Sequence, residues 1–325
     1  MTFTFRIERW PLETPFVTSN AVYETSDVVV AEVSRDGHVG RGEACGVDYL
    51  GETVESISAQ LAELCSLDIV GLGRSGLRST LAPGGARNAL DCALWDLECK
   101  MAGVRAWTLA GLADFAPRRS FVTLSKDSPE AMTRAAAALG QSALIKLKLG
   151  DDEDIERVDA IRAVAPDARL IVDANSGWSL GQLLERAPHL SRAGVELIEQ
   201  PLEAGSDQHL AAYSGEVPLC ADESCQGLDT LEDLAVHYRC VNVKLDKTGG
   251  LTEALEMVQR AKALGLRVMV GCMSATSLGI APAAIVAQHA DVVDLDWHLF
   301  NREDRAWGFD RSAPVLARFD ERLWG

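Results

Sequence analysis

The chain has 325 residues, 47% hydrophobic and 24% charged, with 31 basic against 48 acidic side chains and a net charge of -17. A chain of this length buries roughly three quarters of its unfolded surface, and its acidic balance argues against anionic partners such as nucleic acid and acidic membranes. The start, Met1-Thr2-Phe3-Thr4-Phe5-Arg6, lacks a basic region followed by an apolar run, and no later run of about 18 uncharged apolar residues occurs, so a cytoplasmic protein without a membrane anchor is expected.

Up to about Ala116 the pattern is that of an α+β unit. Phe3, Phe5 and Ile7 alternate as in a strand, and Asp27 to Val33 is a β-branched run. Asp36-Gly37 then supplies a turn before His38 to Ala44, which predicts an antiparallel meander. Glu52 to Leu64 and Gly84 to Met101 carry apolar residues at helical spacing, with Leu90, Ala93, Leu94 and Leu97 on one stripe and Gly103 as a stop.

From Ser120 onward short apolar strands alternate with helical stretches. The predicted strands are Phe121 to Leu124, Leu144 to Leu149, Leu170 to Ala174, Val195 to Glu199, Pro218 to Asp222, Cys240 to Leu245, Arg267 to Gly271 and Val292 to Asp296. Pro129 to Leu139, Asp152 to Val164 and Leu251 to Leu264 are helical patterns between them. Eight strands at this repeat predict an α/β fold, a parallel barrel of the (β/α)8 TIM type, and the absence of a GxGxxG turn after any strand disfavours a dinucleotide-binding sheet.

In such a barrel the chemistry sits at the C-terminal ends of the strands. Those ends carry Lys148, Asp173, Glu199, Asp222, Lys244, and the pair Asp294 and Asp296. Lys146 and Lys148 stand two apart on one face of an otherwise aliphatic strand. One acid at such a junction is explained by helix capping; three consecutive strands ending in acid are harder to explain that way. The six histidines have no zinc-ligand spacing, and the eight cysteines, with no CxxC pair, read as reduced thiols. Three carboxylates without histidine or cysteine suit an oxygen-bound Mg²⁺, with Asp173, Glu199 and Asp222 as ligands. Lys148 and Lys244 would then flank a substrate carboxylate on that ion, one base for each face of its α-carbon. Lys146, a like charge beside Lys148, would help to lower the pKa of that base.

These residues resemble the enolase superfamily, muconate lactonizing subgroup. The KxK pair, the ordered Asp173, Glu199 and Asp222, Lys244 within Val243-Lys244-Leu245-Asp246-Lys247-Thr248-Gly249-Gly250, Gly271-Cys272-Met273 and Asp294-Leu295-Asp296 are most similar to the dipeptide epimerases, L-Ala-D/L-Glu epimerases in particular. The resemblance implies a capping domain over residues 1–116, joined by the tail 311–325, closed over a modified (β/α)7β barrel at 117–310. It also implies Mg²⁺, a dipeptide substrate, Lys148 and Lys244 as acid and base, and Asp294 and Asp296 as the seat of the substrate's free α-ammonium. Murein-peptide metabolism would be its setting, and a homo-oligomer is compatible with it. Two capping loops, Pro15 to Ser26 and Gly42 to Glu52, set specificity in the family. This chain has Asn20 where the L-Ala-D/L-Glu epimerases carry arginine, and no Arg or Lys from Pro15 to Asp27. Tyr23, Glu24, Asp48 and Tyr49 in these loops suit a neutral, aromatic or basic second residue better than an acidic one. The alternatives on the same scaffold are N-acylamino acid racemisation, o-succinylbenzoate synthesis and muconate cycloisomerisation. A non-catalytic peptide-binding protein is the alternative of a different class.

Overall fold

The computed structural model describes residues 3–18, 21–141 and 143–325. In the N-terminal unit, strands Phe3–Val17, Val22–Arg35 and His38–Ala44 form the expected antiparallel meander. Asp36 and Gly37, both at positive φ (52° and 80°), make a two-residue turn whose twist matches the strands that it joins. Helix Gly85–Ala102 lies so close to the third strand that a Cβ on Gly40 would sit 2.2 Å from the Ala93 carbonyl oxygen, and one on Gly42 2.1 Å from that of Ala89. Only glycine permits that approach. Helix Val54–Glu63 begins at a Thr53/Ser56 capping box, and Gly103, at φ 64°, ends the longer helix as its position predicts. A third helix, Ile69–Thr80, is not announced by the sequence, because Gly71, Gly73 and Gly76 interrupt it and Gly73 breaks the helical path at φ 63°.

Eight strands form the second sheet: Val122–Leu124, Leu144–Lys148, Arg169–Asp173, Val195–Glu199, Leu219–Ala221, Cys240–Val243, Arg267–Gly271 and Val292–Asp294. They pair in parallel and in chain order, and the Phe121 N–H donates to the Val293 carbonyl at 2.8 Å, which brings the first strand round to the eighth. Helices Pro129–Leu139, Asp154–Val164, Leu180–Arg192, Leu231–His237, Leu251–Ala263 and Ser277–Ala287 form crossovers on the outside. Between the fourth and fifth strands the crossover carries a 3-10 turn, Asp207–Ala212, so seven crossovers link eight strands. The last of these helices is apolar on all sides and buried on all sides, packed on both the barrel and the third capping strand.

The barrel interior explains where the site lies. Phe121, Leu144, Ile171, Leu197, Cys220, Cys240, Met269 and Val292, one from each strand or its first flank, form a buried apolar layer. Side chains two residues on point the same way. One such step from that layer reaches Thr123, Lys146, Asp173, Glu199, Asp222, Asn242, Gly271 and Asp294, and a second reaches Lys148, Lys244 and Asp296. The polar floor is thus the next layer of the barrel above an apolar plug.

The C-terminal tail returns to the first unit. Trp324, fully buried, donates from Nε1 to the Cys92 carbonyl at 3.1 Å, Gly325 N–H donates to Asp96 at 2.7 Å, and Val315–Leu316 pairs with Arg118–Arg119. All eight cysteines are free thiols. Among the described residues no helix is long and apolar enough to cross a membrane.

Candidate active site

Asp173 and Glu199 end the third and fourth barrel strands and are register partners, and Asp222 follows the fifth strand directly. All three are fully buried. Three carboxylates shut away from water need compensating charge, and four lysines supply it. Lys146 Nζ lies 3.0 Å from Asp173, 2.7 Å from Glu199 and 2.7 Å from Asp294. Lys148 Nζ donates to Asp173 at 2.7 Å, and Lys244 Nζ to Asp222 at 2.7 Å. Lys247, which the sequence shows as part of a motif without a role of its own, donates to Asp222 Oδ1 at 2.6 Å and to the Asp222 and Asn242 carbonyls. Its place three residues after Lys244, in a short helical turn, was the available signal.

The charges divide unevenly. Burial acts against ionisation of Asp173, but Lys146 and Lys148 outweigh it and hold the carboxyl at about 2. Asp222 is likewise lowered against its burial by Lys244 and Lys247. Glu199 goes the other way, to about 8, through burial and then the charge of Asp173. Its Oε2 is 2.7 Å from Lys146 but out of line for a hydrogen bond, while Oε1 accepts from Asn242 at 2.8 Å. Burial disfavours the ammonium form of Lys146, yet Asp173, Asp294 and Glu199 together keep it a cation. Lys244 is raised in the same way, chiefly by Asp222.

Two backbone corners hold the acids. Gln200, at φ 33°, accepts with Oε1 from the N–H groups of Asp222 and Ser224. Asn175, at φ 44°, donates its N–H to Asp173 at 2.9 Å and its amide to Glu223 at 3.2 Å. Non-glycine residues at positive φ are uncommon, and three of them, Asn175, Ser176 and Gln200, lie just past the acidic strand ends.

Asp294 closes the eighth strand, whereas Asp296 lies beyond it, at the start of the 3-10 turn Trp297–Leu299, which corrects the expectation of one strand carrying both. The barrel has run out of ladder partners there; the Thr123 N–H instead donates to the Asp296 carboxylate at 2.6 Å, and its hydroxyl approaches Asp294 at 3.4 Å. Burial and the charge of Asp294 push Asp296 up to about 7.

The capping unit completes a cleft of about 840 Å³. Phe16, Tyr23, Asp48 and Tyr49 line it from above and Lys146, Lys148, Asp222, Lys244, Asp294 and Asp296 from below. Tyr23 donates to Asp48 and stands edge-on to Trp297, at 5.7 Å between ring centres. Trp297 Nε1 donates to Ser26 at 2.7 Å, and Ser26 donates to Asn301 at 2.6 Å, a buried seam that ties cap to barrel. Asn20 lies outside the described residues. Of the other expected residues, the structure brings Lys148, Lys244, Lys146, Asp294, Asp296, Tyr23 and Asp48 to one cleft. Asp173 and Glu199 lie directly beneath it.

The donor set fits a hard cation in its chemistry: three buried carboxylates, oxygen only. Among the described residues no group of three or more His, Cys, Asp or Glu side chains is drawn around a common point, since each carboxylate is turned onto a lysine.

Residues 1–111 match the mandelate racemase / muconate lactonizing enzyme N-terminal domain, and residues 129–315 match the enolase C-terminal domain-like family. An L-Ala-D/L-Glu epimerase of Escherichia coli (strain K12) is 40% identical over 294 residues, 89% of this chain and 91% of that one. The structure of an enolase family member from Agrobacterium tumefaciens with homology to dipeptide epimerases, with L-Ala-L-Glu and sodium bound, superposes with a TM-score of 0.97 at 38% identity, covering 100% of this chain and 99% of that one. The structure of a dipeptide epimerase from Methylococcus capsulatus, complexed with Mg and L-Arg-D-Lys, has a TM-score of 0.85 at 30% identity, with 94% and 93% covered.

Proposed function

The chain belongs to the mandelate racemase and muconate lactonizing enzyme family, with its enolase-like barrel, and from that membership we propose that it is a dipeptide epimerase. It inverts the α-carbon of the C-terminal residue by removing the α-proton on one face and returning a proton on the other. The observation that carries this reading is the placing of Lys148 and Lys244 in one cleft, each on its own carboxylate, Asp173 and Asp222. Asp173, Glu199 and Asp222 would hold magnesium, which when bound neutralises the substrate carboxylate and so favours loss of the adjacent proton. Lys146 adds a fixed positive charge to the same floor. One ammonium of the Lys148/Lys244 pair donates while the other, as free amine, accepts, so both directions of epimerisation use one arrangement. Asp294 and Asp296 receive the α-ammonium of a free dipeptide.

The second residue of the preferred dipeptide is neutral, aromatic or basic. Support comes from the described cleft lining, which includes Glu24, Asp48, Glu55 and Glu203 but no arginine, and whose cations are the three lysines of the floor. The reaction takes place in the cytoplasm.

Incubation with L,L-dipeptide mixtures and Mg²⁺ in D₂O, followed by mass spectrometry, tests this. Deuterium is expected at one α-carbon, and Lys148→Ala is expected to slow its uptake by about 10²–10⁴-fold. Labelling strongest for dipeptides ending in glutamate would overturn the side-chain preference. Exchange confined to N-acylated amino acids would overturn the dipeptide reading itself.

A further inference from the structure

Glu223 directly follows Asp222 and lines the cleft, yet it is only 8% exposed. Its two oxygens have different surroundings. Oε1 accepts from the Asn175 amide at 3.2 Å, while Oε2 is shut from solvent and has no hydrogen-bond partner among the described residues. A buried carboxylate oxygen left without a donor costs a few kcal/mol, so a side chain kept in that state points to a donor that arrives with a ligand.

The neighbours narrow what that donor is. Asn175 holds Asp173 through its backbone N–H and Glu223 through its side chain. The Asn175–Glu223 contact thus spans from the loop after the third strand to that after the fifth, past Glu199 on the fourth. Glu223 follows Asp222 and is tied through Asn175 to Asp173, and it is not one of the groups that lysine neutralises by a contact: Lys146, Lys148, Lys244 and Lys247 are engaged by Asp173, Glu199, Asp222 and Asp294.

We propose that Glu223 acts on the magnesium ion at one remove, its free Oε2 accepting a hydrogen bond from a water in the ion's coordination shell, with Asn175 fixing the carboxylate in place. This rests on the assignment of Asp173, Glu199 and Asp222 as the ligands. Magnesium keeps several of its waters when bound by protein carboxylates, and such waters are strong donors, which matches a buried acceptor beside the ligands.

Calorimetric titration of the full chain with MgCl₂, without substrate, tests it. Glu223→Gln keeps the size and the contact with Asn175 but puts an NH₂ donor where Oε2 accepts, and it is expected to lower Mg²⁺ affinity by about 10-fold or more. Water-proton relaxation of the Mn²⁺-loaded protein is the second readout: the number of waters on the ion is expected to stay the same while their exchange quickens. Equal Mg²⁺ affinity in both proteins would overturn the proposal. A gain of one water on Mn²⁺ in Glu223→Gln would do so as well, by making Glu223 a direct ligand. Absence of Mg²⁺ binding by the unaltered protein would instead remove the ligand assignment on which the proposal stands. A far-ultraviolet dichroism melt of each protein distinguishes lost affinity from lost folding.

Discussion

At the scale of single residues, the site is a network of buried charge in which Lys146 is shared by Asp173, Glu199 and Asp294, while Asp222 holds Lys244 and Lys247. Asp294 and Asp296 are the informative pair, because Lys146 Nζ lies 2.7 Å from Asp294 while the Asp296 carboxylate is met by Thr123 and, among the described residues, by no cation within ion-pair distance. A second cation, the substrate's α-ammonium, suits that imbalance. Asp296→Asn is therefore expected to lower kcat/KM on a free dipeptide by about 30-fold, equivalent to ~2 kcal/mol of a charge-assisted contact. The same variant is expected to leave turnover of an N-acetylated analogue nearly unchanged relative to the unaltered enzyme. Equal losses on both substrates would assign Asp296 to the fold and not to recognition. The two aspartates are legible in the sequence as a motif, but the separation of their surroundings is not, since the strand ends between them.

At the scale of elements, the loop after the third capping strand is held by the barrel through Asp246, two residues beyond Lys244. Its Oδ1 accepts from the N–H groups of Cys45 and Gly46 at 3.1 and 3.2 Å. Burial above all, and the charge of Glu52 in addition, raise Asp246 from 3.8 to about 7, against the hydrogen bonds of Gly46, Asn88 and Cys45. The sign follows from which state holds the proton. Below the unfolded value both states hold it; between that value and about 7 only the native state does, so this group makes stability fall as pH rises through the window. Compared with the unaltered protein, Asp246→Asn is expected to lose this fall, a difference of up to ~3 kcal/mol between pH 4.5 and 8, read from urea midpoints. Parallel pH curves for the two proteins would show that Asp246 is ionised throughout. The sequence announces the strand, the turn and the KLDKTGG run; that one aspartate in the run anchors a loop 200 residues away follows only from the packing.

At the scale of the whole molecule, the two units are joined by buried charge as well as by apolar surface. Arg305, with its side chain 10% exposed, reaches Glu43 at 2.6 Å and Glu8 at 2.8 Å, both on the capping unit. Glu43 also accepts from the N–H and hydroxyl of Thr276 in the loop before the last barrel helix. Removing one partner of such a pair leaves the other buried and unpaired. Arg305→Met is expected to destabilise the protein by about 3–5 kcal/mol in denaturant unfolding, and adding Glu43→Gln to recover part of that loss. No recovery in the double variant would mean that Arg305 acts through its packing over the Trp10 ring, 5.1 Å away, and not through Glu43.

The amino-acid order by itself determined the architecture and the identity of the chemistry. Strand patterning is local, so the eight barrel strands, the meander and the helices with clear caps were all readable, and an acid or lysine at a strand end is a property of one short segment. Of the helices that the strand and helix patterns above do not name, Ile69–Thr80 is broken by glycines and Ser277–Ala287 is too uniformly apolar to have a periodicity, whereas Leu180–Arg192 carries a local signal, its Ser179/Gln182 capping box. What only the tertiary structure decided is the pairing of charges. Lys247 against Asp222, Asn242 against Glu199, Asn175 against Glu223 and Arg305 against Glu43 join residues from different strands, loops or units. The energy of each pair depends on burial and on the distance between side chains far apart in the chain, and neither is fixed until the barrel closes and the cap is seated on it.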